Sequence, residues 1–242
     1  MKKYIVLFCL AFAICACEKH DPILSGVRNS IFNTDVINVL NTPVQNAPEN
    51  IQYEGTKPCP YVQKSDNTVW AENDKKIFSG FATNNSVDGV RTPVCSGGFV
   101  YAGLTTGELV KINPKTRSVE WVADVYRQSN MTGGASVLDI VAPIQIQNGY
   151  VYAGGLGGAF CKMSDKTGAT KWCINIGTGH PFIISTDVAW LVDTENYLNA
   201  VRLRDGAIYW RTKIKKAGIP VYQDKVITIE STRLDAESGA VL

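Results

Sequence analysis

Histidine is almost missing from this chain: its 242 residues contain only His20 and His180. A histidine pair poised for acid–base work or metal binding is therefore excluded in sequence terms. His20 falls in the N-terminal segment, and His180, next to Pro181, reads as a loop residue rather than a base or ligand. There is no Cys-x-x-Cys, no nucleophile elbow, no phosphate-binding Walker loop and no metal-binding helix motif. A basic surplus is also lacking, with 24 Lys and Arg against 22 Asp and Glu. That balance argues against a nucleic-acid partner and against a polybasic membrane patch. Beyond the first twenty residues no stretch carries a long apolar pattern of period 3.6, which excludes a helical bundle.

The one long apolar run, Tyr4 to Ala16, follows Lys2 and Lys3. It reads as a secretory signal peptide over residues 1–16 and is too short for a transmembrane helix. Its end, Ile14-Cys15-Ala16-Cys17, has the pattern of a bacterial lipobox, so Cys17 is the expected lipidation site and first mature residue. An ordinary signal peptide with a chance cysteine is the alternative. Glu18 in place of Asp leans the expected location toward the outer membrane, lipid-anchored on its periplasmic face. Cleavage would leave 22 basic and 22 acidic residues, a formally neutral chain. Residues 17–66 are rich in Asn, Pro, Asp and Ser and read as a lipidated tether, within which the stretch from Ser30 to Leu40 has two options, a transient helix or docking on the propeller.

What the chain does have is a repeat. An aromatic stands twenty residues before a Trp three times: Tyr101 and Trp121, Tyr152 and Trp172, Trp190 and Trp210. Gly107, Gly158 and Asn196 fall six residues in, and Leu109, Phe160 and Leu198 eight in. Each segment holds short Val-, Ile-, Tyr- and Phe-rich runs separated by turns such as Gln147-Asn148-Gly149 and Arg204-Asp205-Gly206. Each is therefore expected to be a meander of four antiparallel strands that must stack on its neighbours to bury both faces. The expected fold is all-β: a β-propeller over residues 67–242 with about four blades. A fourth copy starts at Ile219 and stops one residue before its Trp. The strand around Trp70 is a candidate to complete that blade; a partial propeller left open is the alternative.

Besides Cys17, four cysteines follow the signal segment: Cys59, Cys95, Cys161 and Cys173. In an oxidising compartment they suggest two disulfides, with buried free thiols as the alternative. Cys161 and Cys173 lie six residues either side of Thr167, opposite one another in a hairpin, which leaves Cys59 for Cys95. The run Gly154 to Gly158 leads into a strand rather than a helix, so it reads as a hairpin turn and not as a phosphate cradle. The segment Arg127 to Ser136 lengthens the first repeat spacing to 51 residues, against 38 for the next. Long loops on rigid scaffolds favour binding. Met131, Leu138 and Asp139 are accordingly the candidate partner-binding residues, with an ordinary long connection as the alternative.

These V-Y-A-G, T-G or D-G and Trp positions resemble the pyrroloquinoline-quinone-type β-propeller repeat. With the lipobox, and most closely over Leu138 to Phe160, the chain resembles the BamB family of outer-membrane assembly lipoproteins. That resemblance implies a non-catalytic scaffold with no cofactor. It would bind a BamA-like outer-membrane barrel protein and other assembly-complex subunits, and aid insertion of unfolded outer-membrane proteins. Asp139 falls in the loop matching that family's acidic partner loop, without the second acid of the family's pair. The alternatives are a dehydrogenase-like propeller binding pyrroloquinoline quinone with calcium, and a periplasmic binding lipoprotein of another role.

Overall fold

The computed structural model describes residues 37–51, 59–83, 87, 92–126 and 137–242. Among them, eighteen strands form five antiparallel sheets. The first sheet holds β1 (Tyr61–Gln63), β2 (Thr68–Ala71) and β3 (Lys76–Ser79). The second holds β4 (Val94–Ser96), β5 (Phe99–Gly103), β6 (Glu108–Asn113) and β7 (Ser118–Asp124). The third holds β8 (Gln145–Gln147), β9 (Tyr150–Gly154), β10 (Phe160–Ser164) and β11 (Thr170–Ile174). The fourth holds β12 (Ile183–Ile184), β13 (Val188–Val192), β14 (Tyr197–Arg202) and β15 (Ile208–Lys213). The fifth holds β16 (Val221–Gln223), β17 (Val226–Ile229) and β18 (Thr232–Asp235). Strand order follows chain order in every sheet, which is the meander expected of a propeller blade.

The twenty-residue spacing has a direct cause in strand register. Tyr101 pairs with Lys111, and Lys111 with Trp121. Tyr152, Lys162 and Trp172 make the same row, as do Trp190, Ala200 and Trp210. Each row crosses the last three strands of one sheet, so two ten-residue steps separate its ends. The residue six along, Gly107, Gly158 or Asn196, turns the chain between the second and third strands with positive φ.

The rows meet the next sheet through Trp and glycine. A Cβ on Gly168 would lie 2.7 Å from the Trp121 ring, one on Gly206 3.0 Å from Trp172, and one on Gly239 2.5 Å from Trp210. The Trp121 indole N–H donates to the Asp165 carbonyl at 2.8 Å, and that of Trp172 to Leu203 at 3.0 Å. In the fourth sheet the N–H of Trp190 donates to the Ala236 carbonyl instead, and the buried Trp210 N–H has no hydrogen-bond partner among the described residues. Burying each indole contributes about 2–3 kcal/mol. Four apolar clusters fill the four seams between consecutive sheets. Val69 and Ile77 meet Val110 at the first seam, and Tyr152 and Phe160 meet Leu191 and Ile208 at the third.

Three details differ from the sequence reading. The strand around Trp70 does not complete the last blade. It is β2, the middle strand of the first sheet, with Trp70 paired to Val62 and Lys76. Position in the row explains the misreading: Trp70 sits on a central strand under Lys64 and Lys76, not on the outer strand that packs the next blade. The outer edge of β18 is met by the chain's own Val241, which bridges to Leu234. Finally, the packed chain begins earlier than residue 67, because Val44 and Ala47 are buried against the fourth and fifth sheets. The structure joins Cys161 to Cys173 and Cys59 to Cys95. Residues 1–36, with His20 and the expected lipidation site Cys17, lie outside the described residues.

Candidate partner-binding face

In a meander the turn between the second and third strands, and the connection onward to the next sheet, emerge at the same end. Residues 104–107, 155–159 and 193–196 therefore share one face with the described parts of the connections, 80–83, 87, 92–93, 125–126, 137–144, 175–182 and 214–220. This face carries Leu138 and Asp139, two of the candidate residues.

Residues 137–141 wedge between two turns. The Ile140 N–H donates to the Leu104 carbonyl at 3.2 Å, and the Leu156 N–H to the Asp139 carbonyl at 2.9 Å. Glycines leave the room: a Cβ on Gly103 would lie 2.4 Å from Ile140, and one on Gly157 3.2 Å from Leu138. The Gly154–Gly158 run is thus a hairpin turn shaped to admit the neighbouring connection.

Asp139 does not face outward as expected. It is 0% exposed, and its carboxylate accepts the Val87 N–H at 2.6 Å. The acid ties the connection between the first and second sheets to the connection between the second and third. Its side chain is held inward because the Gly155 and Leu156 backbone closes over residues 139 and 140. Leu138 is half-buried between Gly107 and Gly157. Met131 lies outside the described residues. The sequence reading missed the large apolar groups that this face does expose: Phe81 at 83%, with Val87 and Val137 beside the wedge. Phe81 is held by its carbonyl, which accepts from the Asn67 side chain, itself bonded to Thr105. Nothing in local sequence marked Phe81, since a lone Phe after a short strand has the pattern of a core residue.

A second cluster lies at the third seam. Asp193 accepts from the Glu195 and Tyr197 N–H groups, the Asn199 amide and the Arg211 guanidinium, all at 2.9–3.0 Å. Arg211 also bonds Glu195 at 3.1 Å and stacks 3.9 Å from the Tyr197 ring centre. They border a cleft of about 190 Å³, lined also by Ile37, Leu156 and Thr194. With four donors on Asp193, no lone pair is left to take a proton from a substrate, and the cluster is structural. His180 is half-buried in the connection between the third and fourth sheets, its backbone against the Thr178 hydroxyl. Among the described residues no group of three or more His, Cys, Asp or Glu is placed to hold a metal ion.

The opposite end of the second seam holds an ion pair. Lys111 lies 2.9 Å from Asp165, which also accepts from the Tyr101 hydroxyl at 2.5 Å. Burial works against the Asp165 charge, but the bonds from Tyr101 and Lys111 outweigh it and hold its carboxyl below the usual range. Burial, then the Asp165 bond and charge, pushes the Tyr101 phenol well above its ordinary value. On the outer strand of the second sheet, Asp124 stands opposite Glu108, and partial burial plus the Glu108 charge raise its carboxyl.

Residues 38–212 match the family model of the outer membrane protein assembly factor BamB. The chain belongs to the BamB family. A BamB from Moranella endobia is 23% identical over 125 residues, which are 52% of this chain and 32% of that protein. The crystal structure of BamB from Moraxella catarrhalis superposes with a TM-score of 0.58 at 16% identity, over 77% of this chain and 58% of that one. A quinohemoprotein alcohol dehydrogenase from Pseudomonas putida superposes at 0.55 with 14% identity, over 75% of this chain and 39% of that one. These structural similarities show the shared propeller fold. The chain spans about a third of the curated BamB relative and under two thirds of the BamB structure. The BamB family model ends at residue 212, so the fifth sheet lies beyond the matched region.

Proposed function

We propose that this chain is a non-catalytic lipoprotein scaffold of the outer-membrane protein assembly machinery. In this reading Cys17 carries the lipid and holds the protein on the periplasmic face of the outer membrane. The scaffold binds a BamA-like barrel protein and aids insertion of unfolded β-barrel proteins. The observation that carries the reading is the BamB family match over residues 38–212. The connection face supplies the means: Phe81, Val87, Val137 and Leu138 offer apolar contact, with Phe81 held through Asn67 and Val87 through buried Asp139. Exposed apolar groups set on a rigid rim suit a protein partner better than a small substrate. Affinity capture of the lipidated protein from membranes in mild detergent tests this. Recovery of a large β-barrel subunit supports the scaffold, and capture of the chain without one contradicts it. A Cys17→Ser variant that stays in the soluble periplasmic fraction supports the lipid anchor, whereas unchanged membrane association opposes it.

A further inference from the structure

The second and third seams are built alike, and the likeness brings out one difference. In the second, the Lys111 ammonium and the Trp121 indole N–H both donate to the Asp165 carbonyl, at 2.9 and 2.8 Å. In the third, the Lys162 ammonium and the Trp172 N–H both donate to the Leu203 carbonyl at 3.0 Å. Gly168 and Gly206, three residues beyond those carbonyls, lie against the same two indoles. Each ammonium also sits over an aromatic ring, Lys111 4.3 Å from the Phe99 centre and Lys162 4.0 Å from that of Tyr150. Leu203 thus holds in the third seam the place that Asp165 holds in the second.

Asp165 brings a carboxylate to that place, and its Oδ1 accepts from Lys111 at 2.9 Å and from the Tyr101 hydroxyl at 2.5 Å. Leu203 brings none: its side chain is turned into the apolar cluster of the seam. Among the described residues Lys162 therefore has no ion pair, and the hydroxyl of Tyr152, the counterpart of Tyr101, has no hydrogen bond. An ammonium has three donors, and the Leu203 carbonyl takes one of them. Lys162 is half-buried where Lys111 is buried, so solvent reaches it. The charges around it do not supply an anion. Burial, and then the charge of Lys171, hold the Lys162 amine below its ordinary value. Asp205 is engaged by Arg202 at 2.7 Å and Arg204 at 3.4 Å. In the fourth seam Ala200 stands in the middle of the row, and no ammonium there needs a partner.

We propose that Lys162 and Tyr152 form a binding site for a carboxylate ligand, at the end of the third seam opposite the connection face. The ligand stands where the Asp165 carboxylate stands in the second seam: one oxygen accepts from the Lys162 ammonium and from the Tyr152 hydroxyl, both of which have donors to give. Exposed Lys171 adds attraction at the rim. The chemistry selected is a carboxylate because the chain's own second seam seats one on the same pair of side chains. It is carried by an acidic side chain of a bound polypeptide or by a small organic acid. The site lies away from Phe81 and does not depend on the scaffold reading.

Carbon NMR of the full chain, labelled at the lysine ε-carbons, tests the site, with Lys162→Met assigning the signal. Sodium acetate, exchanged for chloride at constant ionic strength and neutral pH, should move the Lys162 signal saturably. The Lys111 signal should stay still, because Asp165 already fills its place. Tyr152→Phe should weaken acetate about tenfold through loss of one charge-assisted hydrogen bond. Leu203→Asp should abolish the response by supplying the carboxylate from within; should it fail to fold, Tyr152→Phe carries the test. N-acetyl-glutamate amide binding more tightly than acetate assigns the site to an acidic side chain of a polypeptide, and binding no tighter assigns it to a small acid. No acetate shift at Lys162, equal shifts at Lys111 and Lys162, unchanged acetate affinity in Tyr152→Phe, or phosphate acting as strongly as acetate overturns the proposal.

Discussion

Gly168 lies flat against the indole of Trp121, with room for a hydrogen but not for a methyl group: a Cβ there would sit 2.7 Å from the ring. Its φ of 71° adds a backbone requirement to the steric one. Gly168→Ala is therefore expected to destabilise the domain by about 3 kcal/mol, from left-handed strain and displacement of a packed indole. Gly149, with φ of 75° and nothing within 4 Å of its added Cβ, is the control. Gly149→Ala should cost only about 1 kcal/mol. Urea unfolding of the two variants checks the ranking, and equal costs would mean that Trp121 yields freely.

The two disulfides should differ in worth. Cys161–Cys173 closes a separation of 12 residues that a hairpin already holds, whereas Cys59–Cys95 spans 36 residues and encloses the first sheet. Loop-closure entropy alone favours the longer link by about 1 kcal/mol. Replacing Cys59 and Cys95 by Ser should lower the melting temperature more than replacing Cys161 and Cys173.

Acid should loosen the second seam. The folded Asp165 carboxyl lies below its unfolded value, so its contribution is complete above the unfolded range near 4 and is lost as pH falls through the folded value. Asp165→Asn should cost about 2 kcal/mol at pH 7, because it removes the counter-charge of buried Lys111 and leaves it only the Asp165 carbonyl at 2.9 Å. The cost should shrink at low pH, where the parent loses the same charge; a cost independent of pH would contradict the pairing.

Asp124 has the opposite sign. Its raised carboxyl means that the folded state binds the proton more tightly, so the ionised form weakens the second sheet as pH rises through the folded value. Asp124→Asn should stabilise the domain slightly at pH 7 and make no difference well below pH 4. Thermal melts at both pH values test this.

Much of the fold could be read because register is written in the sequence. A row such as Tyr101, Lys111 and Trp121 needs fixed spacing, and the turn at Gly107 needs a residue that tolerates positive φ. The pairing partners of Trp70 could not be read, because a short strand with one Trp has the same pattern on a central or an outer position. Nor was the docking of the early segment legible: Val44 and Ala47 sit among Asn and Pro, and their burial depends on sheets more than 130 residues away. At the face, the loop bearing Leu138 and Asp139 stood out by length, but a carboxylate has the same letter whether it meets solvent or the Val87 N–H. The Asp193–Arg211 network escaped for a similar reason, since its members are 18 residues apart and meet only through pairing of β14 with β15.

The most direct test of the scaffold places a photo-reactive residue at Phe81, and separately at Arg204, which the structure puts at the opposite end of a sheet. In intact cells Phe81 should cross-link to a large β-barrel protein of the outer membrane and Arg204 should not. Cross-linking from Arg204 alone, or from neither position while the protein remains folded and membrane-bound, would contradict the proposed partner face.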